Sequence, residues 1–310
     1  MVAAAGNDQR LYEHDERAEL RVSAAVLITL AAAGASAAGL ASAAGPAHDA
    51  GAAGVEGAAS GAQRLTVCAD PNNLPFSNRK LEGFENKIIA LIARDLGERI
   101  DYVWWAQRRG YVRSTLNESK CDIWPGVATG VGMVQSTRAY YRSTYVFVSR
   151  ADAPLGKLTL DDPRLKTASI GVQMIGNDSM NTPPAHAIAS RGIIDNVHGY
   201  MLYGDYDQPN PPAEIIKAVV DRKIDVALVW GPLAGYFSHR ASVPMRMDAV
   251  TPAEDPRWPM EFAVSMGVRR GAGALVGRVN AVLEREQQAI DAILTDYQVP
   301  LEPLVPPPGD

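Results

Sequence analysis

CADPNNLPFSN, residues 68–78, decides how the chain begins. It follows the apolar run Leu65-Thr66-Val67, and the two together read as a strand over 64–69 that stops abruptly. Asp70-Pro71-Asn72-Asn73-Leu74-Pro75 cannot extend a strand, because two prolines fix φ and remove backbone donors while Asp and Asn turn or cap the chain. A helical run follows at once, GFENKIIALIARDLG (83–97), with Ile88, Leu91, Ile92 and Leu96 on one face. Strand, loop, helix is the opening of an α/β sheet. In such sheets ligands sit against the loops at the carboxyl ends of the strands. Residues 70–78 are therefore the first candidate for a binding surface.

The alternation continues outward from that loop. IDYVWW (100–105) reads as a strand, RGYVRSTLNE (109–118) as a helix, CDIWPG from Cys121 as a strand and AYYRSTYVFVSR (139–150) as a long β-rich run. A second block follows, with strands at 167–172, 196–200 and 224–231 and helices at 182–192, 212–223 and 233–240. VPMRMDAV returns extended, and a strand at 260–270 and a long helix at 273–298 close the fold. Alternating strands and helices predict mostly parallel sheets with crossover helices. Two blocks with a late return predict two lobes, 64–148 with 250–300 and 149–249, joined by extended strands crossing near 145–151 and 243–251. A cleft between such lobes closes by hinge motion around what it holds. Residues 301–310 form a Pro-rich tail.

The chain has 310 residues with 47% hydrophobic, enough for two lobes. A net charge of −5 without a long basic block argues against nucleic acid as a partner. Residues 1–43 read as a signal peptide with an overlong front end: Arg21 precedes a short apolar stretch, Ala24 to Ala33, and Ala41-Ser42-Ala43 gives a small-residue cleavage site. An uncleaved anchor helix is the other reading of that stretch. Residues 44–63 are an Ala/Gly-rich linker, and no later segment is long and apolar enough to span a membrane. The expected location is the periplasm. Export suits the two cysteines, Cys68 and Cys121, as a disulfide near the opening loop, since an even count in an exported chain suggests pairing. A pair of metal-binding thiolates is the weaker alternative, without a CxxC or a nearby His cluster, and no metal site is expected.

The layout resembles type II periplasmic solute-binding proteins of the amino-acid-binding family. Six stretches in order, CADPNNLPFSN, GFENKIIALIARDLG, WWAQRRGYVR, TRAYYRSTYVFV, NTPPAHAIASRGI and IDVALVWGPLAGYF, sharpen it to a resemblance to the MoxJ/XoxJ proteins. That resemblance covers about 64–300. It implies a two-lobed α/β fold and an accessory role beside a quinoprotein methanol or alcohol dehydrogenase and its c-type cytochrome. PQQ and a metal are then implied only in the dehydrogenase, with no cofactor on this chain, which is expected to be a monomer. A substrate-binding protein of an ABC importer for a non-amino-acid solute is the alternative.

Amino-acid-binding relatives hold the substrate carboxylate with an Arg and its ammonium with an acid. Here Val131-Gly132-Met133 stand where the Arg is expected, with Arg138 several residues later, and Trp230-Gly231-Pro232 stand where the acid is expected. What remains for a cleft is aromatic and amide: Phe76, Trp124, Tyr140, Tyr141 and Trp230, with Asp70, Asn72, Asn73 and Gln173. The same aromatics also suit core and hinge packing. Such a surface fits a flatter, less charged ligand or a protein segment. Arg108, Arg109 and Arg113 in WWAQRRGYVR can face an acidic partner or simply solvate a helix start. Asp178, before the helix at 182, reads as its cap rather than as part of an anion site. No nucleophile motif, metal-protease motif, Walker loop or dinucleotide fingerprint is present, so no catalytic residue is expected. A dehydratase-like enzyme is the minority reading, with Asp70 or Asp178 as its acid or base.

Overall fold

The computed structural model describes residues 63–175, 181–201, 206–253 and 257–304. The expected signal peptide, all of the linker but Gln63, Asp178 and the end of the Pro-rich tail lie outside the described residues. No helix among the described residues is long and apolar enough to cross a membrane.

Strand β1 (Arg64–Ala69) runs parallel to β4 (Arg99–Trp104) in register Leu65 to Ile100 and Val67 to Tyr102, and to β5 (Ile123–Ala128) on its other side. The loop between β1 and the first helix carries a two-residue hairpin, β2 (Asn72–Asn73) with β3 (Ser77–Asn78). Helix α1 (Phe84–Leu96) starts where the Asn86 side chain accepts from the backbone N–H of Asn78 and of Gly83, at 3.1 and 3.2 Å. It stops at Gly97, whose φ of 67° is a left-handed position that glycine takes without a Cβ penalty. Between these ends Ile88 and Ile92 are fully buried with Leu91 close behind, each contributing about 2 kcal/mol of apolar burial.

Strand β7 (Tyr141–Arg150) is the pivot of the sheet. Tyr141–Thr144 pair antiparallel with β12 (Glu261–Val268), and β12 pairs with β5 and with the short β6 (Gln135–Ser136). From Tyr145 onward the same strand pairs instead with β10 (Val226–Trp230) and β11 (Met245–Ala249). Parallel strands β8 (Ile170–Met174) and β9 (Val197–Met201) extend the sheet beyond β10. The result is one curled sheet in the order β4-β1-β5-β12-β7-β10-β8-β9, serving both halves of a two-lobed fold. Cys68 and Cys121 form a disulfide with Cα atoms 5.5 Å apart, stapling β1 to the chain entering β5.

Two helices differ from the sequence pattern. The run expected at 109–118 yields only one turn, α2 (Tyr111–Ser114). Gly110 enters it left-handed and the Thr115 hydroxyl donates to the Tyr111 carbonyl at 2.6 Å, a local bond that competes with helix continuation. The long helix expected at 273–298 is two, α6 (Gly273–Arg285) and α7 (Gln287–Asp296), after α3 (Pro183–Ser190), α4 (Glu214–Val220) and α5 (Gly231–His239). The axis breaks at Glu286, and the next side chain, Gln287, donates to the Tyr140 carbonyl at 3.0 Å.

Candidate functional site

The opening loop is built around Asp70. Its carboxylate is fully buried and accepts from the Asn72 N–H at 2.9 Å, the Gln107 N–H at 2.8 Å and the Tyr206 hydroxyl at 2.5 Å. Its own N–H donates to the Ser77 hydroxyl, which returns a bond to the Asp70 carbonyl. Burial raises the Asp70 carboxyl above its ordinary range, and these three donors pull it back. Asn73 is buried and donates to the Gln107 side chain at 3.3 Å.

Tyr206 and Gln208 come from the other half of the chain, after β9. Asn72 donates to both of their carbonyls, at 3.3 and 3.0 Å, and the guanidinium of Arg108 lies 5.0 Å from the Tyr206 ring centre. The loop thus holds a strap of its own chain. Phenol, carboxylate, side-chain amide and cation together fasten residues 206–208 over the carboxyl end of β1. Arg108, Arg109 and Arg113 are all exposed on the connection from β4 through α2.

The expected aromatics divide into clusters, all buried. Phe76 packs edge-on against Phe84 at 5.4 Å, and Phe84 packs in turn on Tyr141 at 6.0 Å, within the core of the first half. Tyr140 meets Tyr141 at 5.0 Å, and Trp124 meets Tyr111 at 5.1 Å. Trp230 lies at the pivot, 5.1 Å from Tyr145 and 6.0 Å from Phe262. Its backbone N–H donates to the buried Gln173 side chain at 2.9 Å, which joins β8 to β10.

Glu85 is the residue that sequence reading missed. It stands in the first turn of α1, is 1% exposed, and neither carboxylate oxygen has a hydrogen-bond partner. Burial pushes its carboxyl up to about 7, and the nearby charge of Asp70 adds to the rise. Gly126, with φ of 77°, makes room for it: a Cβ there would lie 1.9 Å from a Glu85 carboxylate oxygen. Burial, reinforced by the Glu85 charge, raises the phenols of Tyr102, Tyr140 and Tyr141. Tyr111 is raised in the same way, with Asp70 adding more than Glu85.

The comparisons with known proteins fit this geometry. No family model matches the chain. Protein MoxJ of Methylorubrum extorquens is 32% identical over 260 residues, covering 80% of this chain and 84% of that protein. The MoxJ family is where this chain belongs. Protein MoxJ of Paracoccus denitrificans is 29% identical over 79% of this chain and 92% of its own length. The crystal structure of periplasmic binding protein XoxJ from Methylobacterium extorquens superposes with a TM-score of 0.64 at 36% identity, over 77% of this chain and all of that one. The substrate-binding protein of an amino acid ABC transporter, at 20% identity and a TM-score of 0.53, shares the fold.

In this MoxJ-family chain the positions at which the sequence resemblance expects the amino-acid clamp carry no matching charge. Val131-Gly132-Met133 hold no guanidinium, and Met133 is exposed. Arg138 pairs with Glu284 on α6 at 3.4 Å and its backbone N–H donates to Asn280, so it faces that helix. Arg142 donates from Nε and Nη2 to one carboxylate oxygen of Glu261, at 3.2 and 2.8 Å, across β7 and β12. Trp230-Gly231-Pro232 start α5 without a carboxylate. The signal for Glu85 was Gly126, a glycine inside an apolar strand, which marks a close approach by another group. Tyr206 sits in DYDQPNPP, where nothing local announces a partner 136 residues away.

Proposed function

We propose that this chain is a periplasmic, non-catalytic accessory protein of a PQQ-dependent methanol or alcohol dehydrogenase. It acts in activation or maturation of that enzyme and grips its partner through the cleft between the lobes. PQQ and the metal belong to the dehydrogenase, whose c-type cytochrome is a second partner. The observation that carries this reading is the missing zwitterion clamp in a chain otherwise built like an amino-acid receptor. A zwitterion in a desolvated site needs charge-assisted bonds worth about 1.5–3 kcal/mol each. Arg138 is committed to Glu284 instead. Membership of the MoxJ family supports the dehydrogenase as the partner. Arg108 at the strap, with the exposed Arg109 and Arg113 following it in the chain, adds positive charge suited to an acidic protein surface.

The test is affinity capture by the tagged full chain from periplasmic extract of methanol-grown cells, with mass spectrometry of proteins and small molecules. We expect a quinoprotein dehydrogenase in stoichiometric amount. A metabolite recovered alone, together with an ABC permease encoded beside the gene, would replace this reading with solute import.

A further inference from the structure

Strand β4 ends the sheet, and no strand lies beside its outer edge among the described residues. Its pairing with β1 fixes which groups that edge presents. The N–H of Arg99 donates to the Gln63 carbonyl, and that of Trp105 to the Ala69 carbonyl. Bonding alternates along a parallel ladder, so residues 99, 101, 103 and 105 turn their backbone groups to β1. Ile100, Tyr102 and Trp104 then point their N–H and C=O outward, where no described group bonds them. Exposed edges are usually blunted by a proline, a bulge or an unpaired charge. RIDYVW has no proline, keeps one register with β1 throughout, and carries its mid-strand charge, Asp101, paired with Arg64 at 3.0 Å. The side chains along this edge are rings and cations. Tyr102 and Trp104 stack at 4.7 Å, and the Arg79 guanidinium lies 5.7 Å from the Trp104 ring centre. Lys120 lies 4.7 Å from the ring centre of Trp105, which is 41% exposed. The exposed acids nearby are already paired, Asp101 with Arg64 and Glu118 with Lys120. Arg79 and Arg99 are exposed and have no acidic partner among the described residues, one at each end of a strand about 17 Å long.

We infer that β4 is a docking strand that takes an extended acidic segment of the partner protein as an added strand. The segment's backbone bonds Ile100, Tyr102 and Trp104, and its carboxylates meet Arg79 and Arg99. The identity of the partner rests on the accessory role proposed above; the edge chemistry does not.

The experiment is interferometry of the purified quinoprotein dehydrogenase over the immobilised full chain, wild type against Ile100→Pro and against Arg79→Glu with Arg99→Glu. Proline at 100 removes an outward donor and spares the ladder to β1. We expect each variant to bind about tenfold or more weakly. Amide exchange in the complex is the second readout. The N–H groups of Ile100, Tyr102 and Trp104 should exchange about tenfold or more slowly than in the free chain, while those of Asp101 and Val103, already bonded to β1, stay unchanged. If Ile100→Pro does not fold, the charge variant and the exchange pattern decide. Unchanged binding by the folded variants, or no added protection at residues 100, 102 and 104, overturns the inference and leaves the accessory role standing. If the dehydrogenase does not bind wild type, the accessory role fails, and the exchange pattern is read with the peptide Glu-Val-Thr-Val-Thr-Glu against Lys-Val-Thr-Val-Thr-Lys. Protection by the acidic peptide alone upholds the docking strand; protection by neither or by both overturns it. Protection that grows with the concentration of the chain alone assigns the edge to a second copy and also overturns the inference.

Discussion

Asp70 and Glu85 are two buried carboxylates separated by one loop, and their surroundings are opposite. Asp70 receives three hydrogen bonds, one of them from a strap 136 residues away. Glu85 receives none. Burial raises both groups, but only Asp70 has donors that oppose the rise. The first carboxylate therefore works for the fold, ordering the loop and fastening the strap. The second costs the fold stability.

The frame that carries both acids gives the largest expected effect. Reducing Cys68–Cys121 opens a loop of 53 residues and should lower the unfolding free energy by about 4 kcal/mol, read as a shift of the urea midpoint. Asp70→Ala comes next. It leaves the buried Gln107 N–H and the Tyr206 hydroxyl without their acceptor and should cost about 3 kcal/mol, with loss of protection at Gln107 in hydrogen exchange.

Glu85→Gln should do the reverse, and its sign depends on pH. The folded carboxyl titrates at about 7, above its ordinary 4.5, so the native state holds the proton more tightly than the unfolded chain does. Stability from this group is full below pH 4.5 and is lost as pH rises to 7. The variant should therefore gain roughly 3 kcal/mol over wild type at pH 8 and almost nothing at pH 4.5, measured by urea unfolding at both. A loss at pH 8 would make Glu85 structural and erase the contrast with Asp70. Tyr206→Phe should have the smallest effect, about 1 kcal/mol on closure, seen as a larger radius of gyration in solution scattering with the melting temperature nearly unchanged.

Much of the fold was legible before any coordinates. Strand β1 runs over the residues the apolar pattern marked, and α1 ends at Gly97 as the spacing required. The cysteine pair, too, was readable from parity and export. Helix breaks at Thr115 and Glu286 were not, because a side-chain bond and a single backbone distortion caused them rather than glycine or proline. At the site, sequence could mark Asp70 and the Asn pair through their turn chemistry. It could not see that Phe76 packs on Phe84, which makes Phe76→Ala a poor probe of binding, since such a truncation costs about 3–5 kcal/mol of stability by itself. Nor could it pair Asp70 with Tyr206, or separate Glu85 from the many first-turn acids that merely favour a helix N-terminus.

The most direct test of the accessory role is interferometry of the purified quinoprotein dehydrogenase over the immobilised full chain, wild type against Asn72→Ala with Arg108→Ala. Both side chains sit at the strap, at or near the surface, and not in the core. We expect saturable binding by the wild type and about tenfold weaker binding by the double variant. No binding by the folded wild type, or binding that the double variant leaves unchanged, would contradict a partner held at this cleft.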